Sequence, residues 1–577
     1  MARISQLELS YRNFLINIGP SLSNKIPNIT NMNYTHYLTK RILFSFHFEL
    51  VDETAVLKVI QSLKPKTSAG HDGISLKLLK YLAPGLLKPL TFIINQSLLT
   101  GIFPNNLKIA KVIPLFKKDN PSLVDNYRPI SLLSSLSKLF EKIVFGQVFK
   151  YFTDNGLFHI LQYGFREGHS TETATLDLSD RIINALDNNE TPLAIFMDLS
   201  KAFDTLDHNI LLSKLSFYGI NGTALSWFKS YLSDRTQYVE IQSKKSTMLP
   251  ITTGVPQGSI LGPLLFLIYI NDIPSSSDAF NFILYADDTT MFSTMDFSMS
   301  NLNCNDHINV ELEKVWKWLT INKLSLNVDK TKFMLFRPKN RRHTFEPTLN
   351  INGITVERVE TFKFWGVIFD ENLSWKSHCN HISQKISKLC GVLNRLKYTL
   401  PLPILRTLYF SMVQSQLTYG MLTWGFQPNC LFKLQKKVMR VITRSKYIAH
   451  TEPLFKANNI LKFGDLLRLN ALLFYHKLLN NKLPPYFNSF ILTPLNITHN
   501  YSTRHGDRIP CNITRTQFAQ NCLRHSLPNL INDSPINIRN ISLTHSIDWL
   551  KKELKRYFID NYVYECHILG CYVCGMV

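Results

Sequence analysis

The chain has 577 residues, of which 45% are hydrophobic, so it is long enough to bury several cores and is not a low-complexity tail. Lysine and arginine outnumber aspartate and glutamate by 64 to 42, and the formal net charge of +22 favours nucleic acid over acidic partners. No apolar run is long enough for a membrane span or a secretory signal, and the nine cysteines, none before Cys304, argue against a disulfide framework. The sequence therefore favours an intracellular protein without a membrane partner, and does not decide between nucleus and cytoplasmic ribonucleoprotein.

The first part of the chain carries few functional signals. Residues 1–50 show no sustained hydrophobic period and are expected to form a lead-in segment. From Val51 the pattern becomes helical, and the basic, turn-rich run from Lys64 to Gly73 predicts a loop before an apolar helix around Leu76 to Leu82. Such a loop suits phosphate contact, with simple exposure as the alternative.

An apolar stretch studded with lysine, Lys108 to Lys118, is predicted to be a strand. It is followed by Asn126 to Leu132, in which Pro129 removes an amide donor and biases Arg128 towards extended geometry. A planar guanidinium on an extended segment suits bidentate phosphate binding. Solvated surface charge is the alternative for this arginine and for the lysines of the preceding strand.

Short apolar runs between Gly and Pro breaks predict an α+β region from Leu193 to Phe292, with strands at Leu193–Met197, Gln237–Ile241 and Phe282–Ala286. Asp198 follows the first of these strands directly. The residues after it, Leu199 to Asp204, resemble the start of a helix. A carboxylate at a strand end is exposed, which makes Asp198 a candidate functional residue.

A second acidic site lies at Asp287-Asp288, between two apolar runs that predict a β-hairpin with a polar tip. Neighbouring residues of a strand point to opposite faces, so paired acids suit a turn better than a ladder. Hard divalent cations require oxygen ligands, and three convergent carboxylates would supply them. An ordinary polar turn is the alternative interpretation.

Three ordered segments resemble a known family, the reverse transcriptases of non-LTR (LINE-type, Jockey-like) retrotransposons. Phe196 to Asp204 and Tyr285 to Asp288 are similar to its two acidic palm motifs, and Gly254 to Pro263 between them is similar to its template- and nucleotide-binding motif. The resemblance implies an RNA-directed DNA polymerase in which Asp198, Asp287 and Asp288 bind two Mg²⁺ ions, with Mn²⁺ as a possible substitute. Its partners would be an RNA template, a DNA primer or target, and deoxynucleoside triphosphates.

The same resemblance assigns further roles around the acidic residues. Phe203 would lie beneath the incoming sugar and exclude a 2′-hydroxyl, with a core aromatic as the alternative. The remaining residues implied to contact the nucleotide are Gln257, Gly258, Arg128, Lys111 and Lys117, with a surface turn as the alternative for Gln257 and Gly258. Lys330, within Leu324 to Phe336, would protonate the leaving pyrophosphate, with solvated charge as the alternative. Thr361 to Val367 resembles a primer-gripping hairpin that includes Phe364, Trp365 and Gly366, with aromatic packing alone as the alternative. Trp365 stands where leucine is more usual in the family.

Strand signals thin out after Leu373, and helical spacing is found at Ile382–Leu400, Ile404–Leu417 and Leu431–Thr443. The last of these predicts a basic amphipathic helix that would lie along a duplex backbone, its alternative being a soluble helix face. The basic residues of this helix and its end are Lys433, Lys436, Lys437, Arg440 and Arg444. Near the end of the chain, Cys566, His567, Cys571 and Cys574 suggest zinc only weakly, because their spacing is cramped.

The sequence therefore predicts a right-hand polymerase of the α+β class. The expected divisions are the lead-in 1–50, fingers 51–190, palm 191–375, helical thumb 376–450 and a helical C-terminal region 451–577 of unknown role. The resemblance also implies an apurinic-type endonuclease before the polymerase, as full elements of this family commonly encode one. Because there is no room for it before residue 50, we expect a truncated copy or partial gene product. Two rival hypotheses are an inactive RNA-binding copy and an intron-encoded maturase.

Overall fold

The computed structural model describes residues 34–39, 45–123, 126–241, 244–295, 301–338, 347–426, 431–493, 508–511, 513–535 and 545–562. Most of the predicted lead-in segment lies outside these ranges. So do the four Cys and His residues near the end of the chain, which leaves the zinc hypothesis outside the described residues.

The described residues form a mixed α/β structure followed by a helical region. The strands are β1 Ile109–Phe116, β2 Tyr127–Leu132, β3 Thr191–Met197, β4 Arg235–Ile241, β5 Lys244–Lys245, β6 Leu249–Ile251, β7 Asn281–Tyr285, β8 Asp288–Met295, β9 Lys332–Leu335, β10 Asn350–Ile351, β11 Ile354–Thr355, β12 Glu357–Arg358, β13 Thr361–Phe364 and β14 Val367–Asp370. The helices of the α/β part are α1 Glu53–Ser62, α2 Leu76–Thr100, α3 Ser135–Asp154, α4 Thr171–Asp187, α5 His208–Phe217, α6 Gly222–Leu232, α7 Leu261–Ile270 and α8 Asn301–Ile321.

The helical region begins after β14. Its helices are α9 Lys376–Leu396, α10 Leu402–Leu408, α11 Ser415–Thr418, α12 Met421–Trp424, α13 Leu431–Ile442, α14 Glu452–Ala457, α15 Phe463–Leu479, α16 Gln517–Gln520, α17 Leu523–Asn532 and α18 Ile547–Asp560, with a π-helical turn at Tyr409–Gln414 between α10 and α11. The three helical segments predicted beyond residue 373 are confirmed. Within the ranges that the structure describes, no helix is long and apolar enough to cross a membrane.

The first sheet, here called sheet A, is ordered β2-β1-β4-β5, with β6 also pairing with β4. β1 is antiparallel to β2 and parallel to β4. The lysine-studded segment is therefore a strand, as predicted. Sheet A combines strands that precede residue 190, β1 and β2, with strands that follow it, β4 to β6. Its hydrogen bonds therefore cross the expected boundary between the fingers and the palm.

The second sheet, sheet B, is ordered β12-β9-β3-β8-β7 and positions the acidic residues. All seven residues of its middle strand, β3, are buried. Alternate β3 side chains enter two different cores: Leu193, Ile195 and Met197 pack in one, and Ala194 and Phe196 in the other. Because strand side chains alternate in direction, the two faces of sheet B are both covered by protein.

The three predicted strands are confirmed, whereas the helix expected to begin after Asp198 is wrong. Residues 199–204 form a bridge and turns, with Lys201 at a φ of +48°. The backbone N–H of Ser200 donates to the carbonyl of Ser325 at 2.8 Å, and Leu199 pairs with Leu326. These long-range backbone hydrogen bonds displace a local helix, and α5 begins only after Asp207 caps it by accepting from the amides of Asn209 and Ile210.

Candidate active site

Three aspartates meet at one edge of sheet B, the edge at which β3 and β7 end and β8 begins. We call it the acidic edge. β7 and β8 form the predicted hairpin, in which Tyr285 pairs with Asp288 and the turn consists of Ala286, at a φ of +55°, and Asp287. β8 is also antiparallel to β3, with Thr289 opposite Met197. Asp198 follows Met197, so this register brings it to the same edge as the hairpin tip. Residues about ninety positions apart in the sequence thus become neighbours through strand pairing.

The electrostatics of this acidic edge reflect crowding of like charges. Burial, followed by the charges of Asp288 and Asp198, raises the pKa of the Asp287 carboxyl, and Arg128 acts in the opposite direction. Burial and the charge of Asp198 also raise the pKa of Asp288. Negative charge is therefore in excess at this edge, and a cation would relieve it.

Two of the three carboxylates already have protein partners. The ammonium of Lys330 lies 3.5 Å from Oδ2 of Asp198, and the indole Nε1 of Trp365 donates to Oδ2 of Asp288 at 2.9 Å. Among the residues that the structure describes, no group of three or more His, Cys, Asp or Glu side chains forms a ready metal-ligand set. Within the described residues, the aspartates are therefore neighbours without forming such a set.

Lys330 is held beside Asp198 by backbone pairing. The amide of Asn327 donates to the carbonyl of Asp198 at 2.8 Å, and the amide of Thr331 donates back to the carbonyl of Asn327 at 3.0 Å. This turn between the 325–327 segment and β9 carries the lysine. The structure thus places the predicted Lys330 at the acidic edge.

The acidic hairpin rests on a segment that the sequence analysis did not single out, residues 161–164. The amide of Tyr163 donates to the carbonyl of Leu284 at 2.7 Å, and the amide of Ala286 donates to Oε1 of Gln162 at 3.3 Å. A Cβ on Gly164 would lie 2.5 Å from the amide nitrogen of Ala286. A glycine among aromatic residues was the available signal, because so close a backbone approach excludes any side chain.

The loop at residues 254–258, here called the nucleotide loop, connects the other predicted nucleotide contacts. The amide of Val255 donates to the carbonyl of Phe203 at 2.9 Å, and the amide of Ser131 donates to the carbonyl of Gln257 at 2.8 Å. Gly258 has a φ of +126°, and a Cβ there would lie 2.5 Å from the carbonyl oxygen of Ser131. Backbone hydrogen bonds therefore join the loop both to β2, which carries Arg128, and to the turn that carries Phe203.

Side chains strengthen this junction. The ring of Phe203 stacks on Phe266 of α7 with centroids 4.6 Å apart. Nε2 of Gln257 donates to both oxygens of Asp204, each at 2.9 Å. Burial raises the pKa of the Asp204 carboxyl to about 6, although the amide of Gln257 and the charge of Lys201 both lower it. Asp204 was missed as a site residue because its partner lies in a different motif.

The two lysines predicted to hold a triphosphate differ from Arg128. The ammonium of Lys111 forms an ion pair with Glu240 at 2.6 Å across sheet A. Lys117 is exposed beyond the last residue pair between β1 and β2. Of the three cations, Arg128 is the one whose charge acts on Asp287. Lys111 is therefore tied to Glu240, whereas the charge of the exposed Arg128 acts to lower the pKa of Asp287.

The β13–β14 hairpin carries Phe364, Trp365 and Gly366 to the acidic edge. Trp365 has a φ of +41°, its ring contacts that of Tyr285 with centroids 5.3 Å apart, and its carbonyl accepts from the hydroxyl of Tyr419. A Cβ on Gly366 would lie 2.9 Å from Cε1 of Tyr419. The predicted primer hairpin thus packs between the acidic hairpin and the helical region.

The basic helix α13 is amphipathic as predicted, and the basic residues on it and at its end differ in their surroundings. Lys433 and Lys437 are exposed. Arg440 donates to the carbonyl of Ala449 at 2.8 Å, and Arg444 donates to the carbonyls of Lys397 and Leu400 at 2.7 and 3.1 Å. Lys436 lies over the ring of Phe432, 4.4 Å from its centroid. The two arginines therefore bind backbone carbonyls of other segments, whereas Lys433 and Lys437 face solvent.

The sequence is similar to those of known proteins. Residues 116–369 match the family described as reverse transcriptase (RNA-dependent DNA polymerase). The probable RNA-directed DNA polymerase from transposon BS of Drosophila melanogaster is 30% identical over 428 residues, covering 70% of this chain and 46% of the relative. The RNA-directed DNA polymerase from mobile element jockey of the same organism is 27% identical over 462 residues, covering 77% and 50%.

A third relative, the probable RNA-directed DNA polymerase from transposon X-element of Drosophila melanogaster, is 28% identical over 415 residues, covering 70% of this chain and 45% of the relative. The chain spans about half the length of these curated relatives. The matched region includes the three aspartates, the nucleotide loop and the β13–β14 hairpin. The chain therefore carries a reverse transcriptase domain at residues 116–369, homologous to those of the jockey, BS and X-element non-LTR retrotransposons.

Proposed function

We propose that this chain is an RNA-directed DNA polymerase that transfers deoxynucleotides to the 3′-hydroxyl of a DNA primer on an RNA template. The observation that carries the proposal is the meeting of Asp198, Asp287 and Asp288 at one edge of sheet B within the family-matched residues. A mere nucleic-acid-binding protein has no need of three carboxylates at one edge, because they repel its ligand.

Divalent metal ions are general in the reverse transcriptase family, and the acidic edge fits them. Its donors are all carboxylate oxygens, and burial and mutual repulsion raise the pKa values of Asp287 and Asp288. We assign Asp198, Asp287 and Asp288 as ligands of two Mg²⁺ ions, for which Mn²⁺ could substitute. When bound, the ions would activate the attacking hydroxyl and stabilise the leaving pyrophosphate.

The surrounding side chains have complementary roles in this proposal. Arg128 holds the triphosphate, because a guanidinium pairs two phosphate oxygens at once and its charge already acts on Asp287. Lys330 supplies a proton to the leaving group as a general acid. Phe203 closes the space for a 2′-hydroxyl, and its stacking on Phe266 keeps the ring in place.

The primer and template need longer surfaces. Phe364, Trp365 and Gly366 would steady the primer end, since their hairpin packs against the acidic hairpin. Gln257 and Gly258 contact the incoming nucleotide, and the exposed Lys433 and Lys437 of α13 contact the duplex backbone. We assign the right-hand divisions as fingers over 51–190 together with the sheet A strands of 235–251, palm over the rest of 191–375, and helical thumb over 376–450. No role is assigned to 451–577.

The test is primer extension on an RNA template with Mg²⁺, comparing the parent chain with Asp287→Asn. The substitution removes a proposed ligand charge without changing size, and we expect incorporation to fall at least about 1,000-fold. Asp119→Asn is the matched control, because Asp119 is exposed, lies in the same domain and has a φ of +67° that asparagine tolerates. Incorporation unchanged by Asp287→Asn, or RNA binding without any incorporation by the parent chain, would contradict the proposal.

A further inference from the structure

Asp204 is a partly buried residue whose carboxylate has no role in the proposed function. It follows Phe203 in the turn after β3 and faces the nucleotide loop. A Cβ on Gly254, which has a φ of +77°, would lie 2.6 Å from the carbonyl oxygen of Asp204. The hydroxyl of Thr253 donates to the same carbonyl at 3.2 Å. Loop and turn are therefore in direct contact at this residue.

The contact fixes the direction of one amide. An ionised carboxylate only accepts hydrogen bonds, and the Gln257 amide has one donating end and one accepting end. Nε2 of Gln257 lies 2.9 Å from both oxygens of Asp204. The reversed amide would place Oε1 against two carboxylate oxygens at that distance, which like charge forbids. Asp204 thus takes the Nε2 end of the Gln257 amide and leaves Oε1 as the end that it does not bind.

A structural role alone does not account for a carboxylate here. Burial raises the pKa of Asp204 to about 6, and the opposing charge that acts on it belongs to Lys201. An asparagine of the same shape would avoid the desolvation of a charge and could still bond to Gln257, but it would accept either amide orientation. The aspartate therefore differs from an asparagine in restricting the Gln257 amide to a single orientation.

We propose that Asp204 is a positioning residue that presents the oxygen of the Gln257 amide, not its nitrogen, to the incoming nucleotide. Phosphate oxygens only accept hydrogen bonds, so an amide oxygen has no partner on the triphosphate. Gln257 then accepts hydrogen bonds from donor groups of the nucleoside, which are its sugar hydroxyl or base amines. Arg128, and not Gln257, holds the triphosphate. This inference rests on the proposed function, because it needs a nucleotide at the loop.

The experiment measures equilibrium binding to the full chain carrying an RNA template and a dideoxy-terminated primer, so that no turnover is required. Its two probes are the matched deoxynucleoside triphosphate and inorganic tripolyphosphate, which has phosphates and no nucleoside. We expect Asp204→Asn to weaken deoxynucleotide binding about five- to tenfold and to leave tripolyphosphate binding unchanged. Gln257→Met should behave in the same way, and Arg128→Lys should weaken both probes.

A double-mutant cycle separates positioning from general damage. If Asp204 acts through Gln257, Asp204→Asn should have less than about a twofold effect in the Gln257→Met background. Additive effects, a loss of tripolyphosphate binding equal to that of deoxynucleotide, or no deoxynucleotide binding by the parent complex would overturn the inference. Incorporation on an unblocked primer reports the proposed function separately, because binding without incorporation contradicts that function while the cycle still decides the role of Asp204. Should Asp204→Asn fail to fold, the two-probe comparison of Gln257→Met against Arg128→Lys remains decisive.

Discussion

Two acidic regions of the molecule use carboxylates in opposite ways. In the core between α5, α7 and α8, Asp272 forms an ion pair with Lys214 at 2.6 Å and accepts from Nε1 of Trp318 at 3.2 Å, while Lys214 also donates to the carbonyl of Tyr269 at 2.6 Å. At the edge of sheet B, three carboxylates share one lysine, one indole and the more remote charge of an arginine. Charge that is fully matched serves the fold, and charge left in excess identifies the site.

The largest effect on stability is expected when Asp272 loses its ion-pair partner Lys214. Lys214→Met leaves Asp272 buried without its ammonium, and we expect the free energy of unfolding to fall by about 3 to 5 kcal/mol. Denaturant titration measures the change. Lys150→Met is the control, because Lys150 pairs with Asp154 at 3.7 Å on an exposed helix face and should contribute less than about 1 kcal/mol. Equal effects of the two substitutions would contradict the distinction between matched and surplus charge.

The basic helix α13 allows the same comparison between exposed charges and charges that are bound to other protein groups. Replacing Lys433 and Lys437 by glutamine should lower the slope of log affinity for an RNA–DNA duplex against log salt by about two, one for each lost phosphate contact. Binding measured over a salt series tests this. Arg444→Gln is the contrast, because Arg444 binds two backbone carbonyls and its loss should lower the melting temperature instead. A salt slope unaffected by the lysine pair would remove α13 from the proposed interface.

A smaller effect is expected on stability at the acidic edge itself. Asp287→Asn removes one of three crowded charges, so it should raise the free energy of unfolding by about 1 kcal/mol in metal-free buffer, in contrast to the expected loss of incorporation. Thermal melting without divalent ions measures the gain, with Asp119→Asn again as the control. Destabilisation by Asp287→Asn would indicate that this carboxylate serves the fold.

The smallest expected effect concerns Trp365. Its indole donates to the charged form of Asp288 and so lowers the pKa of that carboxyl. In Trp365→Phe the pKa of Asp288 should rise, and the acidic limb of the pH–rate profile should move to higher pH because the carboxylate ionises later. Phe364→Leu is the control, as it alters the same hairpin without touching Asp288. An unshifted acidic limb would show that the hydrogen bond does not govern ionisation in the working enzyme.

Much of the candidate site was predictable, because its elements carry local signals. Apolar runs that end in acid predicted β3 and the β7–β8 hairpin, and Pro129 predicted the extended backbone at Arg128. The same reasoning failed at residues 199–204, where the helical pattern lost to backbone bonds with residues more than a hundred positions away. Local propensity is weak whenever a neighbouring strand offers its own hydrogen bonds.

The contacts that sequence reasoning could not find are all long-range. Glu240 neutralises Lys111 across 129 positions, Asp204 orients Gln257 across 53, and Trp365 reaches Asp288 across 77. Gln162 and Gly164 support the acidic hairpin from a segment with no motif of its own. Each of these pairings depends on strand register and turn geometry, which one sequence does not encode in any local pattern. The assignment of particular roles to these residues remains a prediction.

The burial of both faces of β3 also limits which changes in length this strand can tolerate. Since Ile195 and Phe196 point into different cores, inserting or deleting one residue in the strand would exchange their surroundings and displace Asp198 from the hairpin tip. The strand can therefore accept the substitution of one apolar residue for another, but not an insertion or a deletion. A frame-preserving indel inside β3 should therefore abolish the proposed incorporation activity, which primer extension would measure.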